Sequence, residues 1–438
     1  MTTTTLARAY RFALDPTPAQ ERALGSHAGA ARFAWNWGLA KCQERYVAEG
    51  KWYDGMQLHK LWNAEKKAEP TLAWWSENSK CVYQEAFRNL DRALKDFVKS
   101  KKGDRKGRRL GFPRFKKRGR ARDSFRFTTG PMRCAAHEVT LPKLGTIRTH
   151  ESTRKLARRL ENGTARILSA AVSRTAQRWY VSFVCEVEPA VPGRPGSGAI
   201  GIDLGVKVLL SGVDDHGRVL TVEGPKPLRK ALRKLRRVGR EHSRKMPGSA
   251  NRREHAVKLA RIHARVACVR TDSLHKVTTG LVRRYATVVA EDLNVAGLTR
   301  NRSVARAMAD QGLGQVRQML AYKTAWNGGR LILADRWYPS SKTCSACGAV
   351  KAKLSLAERT YICESCGLVI DRDVNAARNL LKLAVSGTES QNACGPQVRP
   401  GRAGRSGMKQ EPGSASVGET GTAAGQLAAA EREAAHAA

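Results

Sequence analysis

Between Cys363 and Asn379 the chain reads CESCGLVIDRDVNAARN, so a Cys-x-x-Cys pair runs within five residues into Asp371 and Asp373. Thiolates are soft ligands that suit zinc, whereas carboxylates are hard ligands that suit magnesium. One short segment thus carries ligands for two different metals. Upstream, Cys344 and Cys347 are separated from Cys363 by fifteen residues, and Gly348 and Gly367 follow the two pairs as tight knuckles require. Cys344, Cys347, Cys363 and Cys366 together have the spacing of a four-cysteine zinc ribbon. All four ligands are thiols and no coordination position stays open, which predicts one zinc in a structural role. Cys42, Cys81, Cys134, Cys185, Cys268 and Cys394 show no such pairing and read as inert thiols.

Two further acids stand where apolar runs end. Ala199 to Ile202 reads as a strand stopped by Asp203, with Gly205 letting the backbone come close to whatever Asp203 binds. Thr287 to Ala290 is a second such run and leads into Glu291 and Asp292, while Asp371 and Asp373 open a helix that continues to Leu381. Two strand-end acids and one helix-start acid are the parts of a Mg²⁺ site assembled from several elements, since Mg²⁺ takes carboxylate oxygens and keeps waters and substrate phosphates elsewhere. Two such ions about 3.5–4 Å apart can activate a water and stabilise the leaving oxygen of a phosphodiester. The competing reading makes these acids strand-end caps and salt-bridge partners.

The elements that must hold them are legible in outline. Ala9 to Leu14 reads as a strand, and Thr17, Pro18 and Gln20 form a capping box with proline at the first helical position. Helical patterns run on to about Lys99 and contain Trp35, Trp37, Trp52, Trp62, Trp74 and Trp75. At helical spacing these tryptophans fill a core more readily than they stack on bases. Val139 to Leu141, Ala165 to Val172 and Trp179 to Val187 read as antiparallel strands with a turn at Thr175 to Gln177. The proline- and glycine-rich stretch Pro189 to Ser197 reads as the main linker, and Asp214 to Gly217 as a hairpin turn.

Charge identifies the partner. The 438 residues hold 79 Lys and Arg against 38 Asp and Glu, a net of +41 that favours a polyanion, nucleic acid first. No apolar run reaches the ~18 residues a spanning helix needs, and the start lacks the apolar core of a secretory signal. A cytoplasmic location with reduced thiols is therefore expected. From Val385 onward five basic residues balance five acidic ones, so the whole excess lies in residues 1–384, and the Gly-, Ala- and Ser-rich tail at 385–438 is expected to be disordered. Lys99 to Arg126 carries 14 basic residues against two aspartates. It presents Lys101, Lys102, Arg105, Lys106, Arg108, Arg109, Arg114, Lys116, Lys117 and Arg118 for phosphate contact. Phe112, Phe115, Phe125 and Phe127 are interleaved and placed for base stacking. Lys226 to Arg261 also carries 14, with Leu228, Leu232 and Leu235 defining the apolar stripe of a long helix. Its outer face bears Arg229, Lys230, Arg233, Lys234, Arg236 and Arg237.

GIDLGVK, VVAEDLNVAGL, SSKTCSACG and CESCGLVIDRDVNAARN together resemble TnpB, the OrfB family of small insertion sequences and a relative of the type V CRISPR nucleases. PTPAQERAL, FAWNWGLA and PRFKKRGRARDSFRF are similar to the same family, so the resemblance runs from about Tyr10 to Leu383. It implies an α+β multidomain chain: a β-barrel wedge with an inserted helical recognition domain at about 15–120 in a nucleic-acid-binding lobe at 1–196, then a RuvC-like α/β nuclease of RNase H fold at 197–384. A zinc ribbon at about 341–369 interrupts the nuclease. The resemblance further implies a guide RNA from the element, double-stranded target DNA and two-ion Mg²⁺ catalysis. The catalytic acids it implies are Asp203, Glu291 and the helix-start aspartate, Asp373 in preference to Asp371, with Asp371 the alternative third acid or a residue supporting it. Two other functions fit the same acids and charge: a transposase that joins strands itself, and a non-catalytic zinc-ribbon regulator.

Overall fold

The computed structural model describes residues 6–188, 196–301, 304–355 and 358–385. The expected linker, apart from Gly196 and Ser197, and the expected tail beyond Val385 lie outside the described residues. The first strand, β1 (Leu6–Asp15), hands directly to α1 (Pro18–Glu49) through the capping box: the Thr17 hydroxyl accepts the Gln20 N–H, and the Gln20 side chain accepts the Thr17 N–H at 3.0 Å. Next come α2 (Gly55–Ala68), a 3-10 turn at Pro70–Glu77 and α3 (Lys80–Lys102). Six strands and one helix follow: β2 (Ser124–Phe127), β3 (Arg133–Ala135), β4 (Glu138–Leu141), β5 (Gly145–Thr149), α4 (Arg154–Glu161), β6 (Ala165–Thr175) and β7 (Arg178–Val187). With β1 the strands form a seven-stranded antiparallel sheet in the order β2-β6-β7-β1-β5-β4-β3. The β6–β7 turn places Ala176 and Gln177 at φ 49° and 68°, the left-handed pair that matches strand twist in a two-residue hairpin. Strands β2 and β3 are the sheet's edges, and no pairing joins them among the described residues.

The tryptophans behave as core. Trp62 is fully buried, with the rings of Phe33, Trp37 and Tyr83 centred 5.8, 5.5 and 5.2 Å away. Phe125 and Phe127 are buried in the same cluster, and Phe112 packs on Phe97 and Trp52. Of the four interleaved phenylalanines Phe115 stays exposed and Phe112 half-buried, while the expectation of base stacking fails for the buried Phe125 and Phe127. Magnitudes explain this: truncating a buried aromatic costs about 3–5 kcal/mol, while a base stack returns only about 1–3 kcal/mol.

The second sheet contains the strand-end acids. It is built from β8 (Ala199–Asp203), β9 (Leu210–Asp214) and β10 (Val219–Val222), then β11 (Thr287–Glu291) and β12 (Arg330–Ala334), in the order β10-β9-β8-β11-β12. β8, β11 and β12 are mutually parallel, and β9 is antiparallel to both of its neighbours, β8 and β10. Between β10 and β11 lie α5 (Pro227–Ser243) and α6 (Ala250–Arg284); between β11 and β12 lie α7 (Val295–Leu298), α8 (Ala305–Gln311) and α9 (Leu313–Trp326). The long basic helix expected across 226–261 is thus two helices. Pro247 disfavours helix at the residue before it, Gly248 turns the chain at φ 84°, and Ser249 caps α6 by accepting the Arg252 N–H at 3.1 Å.

Strand parity decides which side chains meet. Ile200, Ile202, Val288 and Ala290 point to one face and pack with Leu274 and Leu281 of α6 and Val316 and Leu320 of α9. Gly201 and Asp203 of β8 and Val289 and Glu291 of β11 point to the other. That face is covered by α10 (Arg372–Val385), which follows the small hairpin β13 (Thr360–Ile362) and β14 (Val369–Asp371). Helix α10 crosses β8 at backbone distance: a Cβ on Gly201 would overlap the Ala377 carbonyl oxygen and the Leu381 amide nitrogen.

Candidate active and metal sites

Asp203 and Glu291 arrive together because their strands are parallel and in register. Ile202 pairs with Ala290, so the next residue of each strand places the two carboxylates side by side at the strand ends, facing α10. The first turn of α10 brings Asp373 to the same point. Burial pushes the Asp203 carboxyl up to about 8, and the charges of Glu291 and Asp373 push in the same direction, with Arg372 opposing them. Three acids thus converge from elements 170 residues apart in sequence.

Their neighbours have other work. Asp292 holds Arg317 and, at 2.8 Å, Arg336, which makes it the salt-bridge partner, while Glu291 next to it accepts the Ser340 hydroxyl. Asp371 caps α10: its Oδ1 accepts the N–H groups of Asp373 at 2.9 Å and Val374 at 3.1 Å. Asp214, fully buried at the hairpin turn, accepts from the His216 and Arg218 amides and from the Tyr285 hydroxyl. A cleft of about 190 Å³ opens beside Glu291, lined also by Asp292, Asn294, Asp335, Arg336 and Tyr338.

The Asp203 shift makes stability depend on pH. An acid raised in the folded state keeps its proton while the unfolded chain loses it, so stability falls as pH rises from about 4 towards about 8. In magnesium-free buffer Asp203→Asn, which has no such proton, is expected to melt a few degrees above wild type at pH 8. The difference should shrink towards zero at pH 4 in thermal unfolding followed by circular dichroism.

The cysteines form a second centre. The sulfurs of Cys344, Cys347, Cys363 and Cys366 all lie within 4.8 Å of one another, with Cys344–Cys366 and Cys347–Cys363 each at 3.6 Å. Zinc–sulfur bonds of about 2.3 Å at tetrahedral angles place thiolates roughly 3.8 Å apart, so the donor set fits zinc, and the sulfurs are too far apart for disulfides. The two knuckles match: Gly348 N–H reaches Cys344 O at 3.1 Å and Gly367 N–H reaches Cys363 O at 3.0 Å, with φ of 80° and 73°. Around this centre the buried cluster among the described residues is Cys344, Tyr361 and Cys363, so two of its three members belong to the four-thiol set itself. The remaining cysteines lie apart from it: Cys42, Cys81, Cys134 and Cys185 are buried, Cys268 is exposed, and Cys394 lies outside the described residues.

Sequence reasoning missed the residues that join the two centres. Asn375 and Asn379 lie on the buried face of α10. Asn375 donates to Thr343 O at 2.7 Å and accepts the Ser345 N–H at 2.9 Å, while Asn379 donates to Ser340 O at 2.9 Å. Lys382 reaches Ser345 O at 2.7 Å. The loop into the first knuckle is therefore tied to the helix that bears Asp373, and Ser340 ties it to Glu291. Two asparagines spaced i, i+4 between alanines and leucines on an apolar helix face were the available signal.

The basic residues do not meet the acids directly. Lys101 and Lys102 end α3, and Arg105, Lys106, Arg108, Arg109, Arg114, Lys117 and Arg118 are exposed on the extended segment after it. Lys116 differs: its ammonium sits 3.7 Å over the Trp35 ring, Asn36 binds its backbone, and burial lowers its pKa to about 8. Arg229, Lys230, Arg233, Lys234, Arg236 and Arg237 lie along α5, where the helix carries its charge outward.

Family models match three stretches: "Helix-turn-helix domain" over residues 1–51, "Probable transposase" over 182–302, and "Cas12f1-like, TNB domain" over 314–380. In the structure, the described part of the first stretch is a strand and one long helix. A protein of Mycobacterium tuberculosis H37Rv named "Putative RNA-guided DNA endonuclease" is 38% identical over 86% of this chain and 86% of its own length. One of Streptomyces pristinaespiralis bearing the same name is 37% identical over 94% and 98%. InsQ of Escherichia coli K12, named in the same words, is 32% identical over 92% and 97%. Among solved structures, a Cas12f1–sgRNA–target DNA complex aligns over 86% of this chain and 99% of that one, at 12% identity and a TM-score of 0.46.

Proposed function

We propose, given that this chain belongs to the TnpB (OrfB) family, that it is an RNA-guided DNA endonuclease hydrolysing phosphodiester bonds at Asp203, Glu291 and Asp373. The observation that carries this reading is the convergence of three carboxylates in a chain of net charge +41, with Asp203 destabilised as an anion by burial first and then by the other two. Relatives at 32–38% identity over nearly their whole length, named as RNA-guided DNA endonucleases, support it over strand joining or non-catalytic regulation.

The three carboxylates fit Mg²⁺: they supply oxygen donors at one focus, with Arg372, 3.6 Å from Asp373, as the opposing cation. Bound there, Mg²⁺ would supply water activation and neutralise charge on the phosphate. The chain's own part is to hold donors at fixed places. Parallel register sets Asp203 beside Glu291, Ser340 orients Glu291, and the Asp371 cap fixes the turn that carries Asp373. Zinc at the four cysteines would staple a hairpin too small to bury its own core. The order β10-β9-β8-β11-β12, with α6 and α9 on one face and α10 on the other, supports a RuvC-like nuclease at 197–384, and the helices inserted between β1 and β2 support a wedge with a recognition insert in a lobe at 1–196. The exposed lysines and arginines of 101–118 and of α5 would then hold guide RNA and target by their phosphates, leaving sequence to base pairing.

The test is to purify the protein with its coexpressed flanking RNA, sequence that RNA, and incubate the complex with a matching duplex and Mg²⁺. One abundant RNA and metal-dependent 5′-phosphate ends are expected. Joined strands would support a transposase instead, and binding without cutting at any Mg²⁺ concentration a regulator.

A further inference from the structure

We propose that Trp337 is the stacking platform for an unpaired nucleotide of the strand being cut, an inference that rests on the nuclease reading above. Trp337 is 85% exposed, against 51% for Tyr46 and 48% for Phe115, the next most exposed aromatics among the described residues. No ring or cation stacks on it among those residues. A single exposed apolar side chain is ordinary by itself; the placement of this one is not.

The loop that presents it, between β12 and the first cysteine knuckle, is pinned on both sides of the indole. Asp335 Oδ1 accepts the Trp337 N–H at 2.8 Å and Asp335 O accepts the Tyr338 N–H at 3.0 Å. Arg336 holds Asp292 at 2.8 Å, Tyr338 donates its hydroxyl to Asn379 O at 3.3 Å, and Ser340 binds Glu291. Asp335, Arg336 and Tyr338 also line the cleft beside Glu291. A hydrogen-bonded loop, whose residues on both sides of the indole line the cleft beside Glu291, therefore carries an uncovered indole. Bases inside a duplex have both faces covered, so such a surface takes a base from an unpaired strand, and it does so with little regard to sequence because every base has a π-face. Stacking there would hold the adjacent phosphate against the carboxylates.

The experiment uses the RNA-loaded protein with saturating target duplex and Mg²⁺, measuring single-turnover cutting by wild type, Trp337→Ala and Trp337→Phe. Substrates carry one abasic nucleotide, moved stepwise through the positions around the cut. Trp337→Ala should cut roughly five- to one-hundred-fold more slowly, with target affinity and melting temperature unchanged, and Trp337→Phe should recover most of the rate. One abasic position should slow wild type by a similar factor and leave Trp337→Ala no slower than before. Wild-type cutting by Trp337→Ala, or equal slowing of both proteins by every abasic position, overturns the stacking. A wild-type complex that cuts nothing overturns the nuclease reading itself.

Discussion

Asp203→Ala is expected to lower target cleavage by roughly a thousandfold or more while guide and target binding remain. Asp203 sits on the central strand of its sheet, one residue beyond the Ile202–Ala290 pair as Glu291 is on β11, and the helix over it brings Asp373. Removing it takes a donor from the middle of the set, and the two remaining acids are held by different elements that cannot close the gap. On the proposed reading, binding rests on phosphate contacts by the exposed residues of 101–118 and α5, so electrophoretic mobility shifts should be those of wild type. Asp292→Asn serves as the control for a nearby carboxylate: it loses its ion pairs with Arg317 and Arg336 but leaves the three acids intact, and a much smaller fall in rate is expected. Wild-type cutting by Asp203→Ala would remove this site from the mechanism.

The second large effect is at the cysteines. Cys366→Ser is expected to take zinc from about one per chain to a small fraction in metal analysis, because a structural zinc site is worth roughly 10–16 kcal/mol to a domain of this kind. The ribbon has little else: among the described residues its buried cluster is Cys344, Tyr361 and Cys363, with Ala349, Leu354, Leu368 and Ile370 partly buried against it. Hydrogen exchange should rise across residues 343–370, and cleavage should fall about ten- to one-hundred-fold, although zinc never touches substrate. The fall travels along visible bonds, from the Cys344 knuckle through Thr343 and Ser345 to Asn375, and through Ser340 to Glu291 and Asn379. Full cutting by a zinc-free variant would show the two centres to be independent.

What could be read from the chain alone was local chemistry. The Thr17 and Gln20 cap, the paired knuckles and the acids at strand ends are each settled by residues close in sequence, and each stands in the structure where it was expected. Asp371 and Asp373 could not be separated that way, since both stand at a helix start; only the hydrogen bonds assign the cap to Asp371. The break in the basic helix was written as Met246-Pro247-Gly248-Ser249, but a count of charge across the segment passes over it. Phe125 and Phe127 looked accessible because charged residues surround them, yet β2 turns both into the core. Lys116 looked like its neighbours until Trp35, eighty-one residues earlier, came under it. These are long-range facts, decided by which elements pack together rather than by neighbours in the chain.

The backbone contact between α10 and Gly201 also sets an order of events during synthesis. The sheet that orients Asp203 and Glu291 is complete with β12, but Asp373 joins only after a further stretch of chain has emerged and α10 has settled on β8. At translation rates of about 5–20 residues per second, roughly ten to thirty seconds separate the making of Asp203 from that of Asp373. On the proposed reading, a nascent or truncated chain ending before α10 would keep its basic surfaces without owning a finished cutting site.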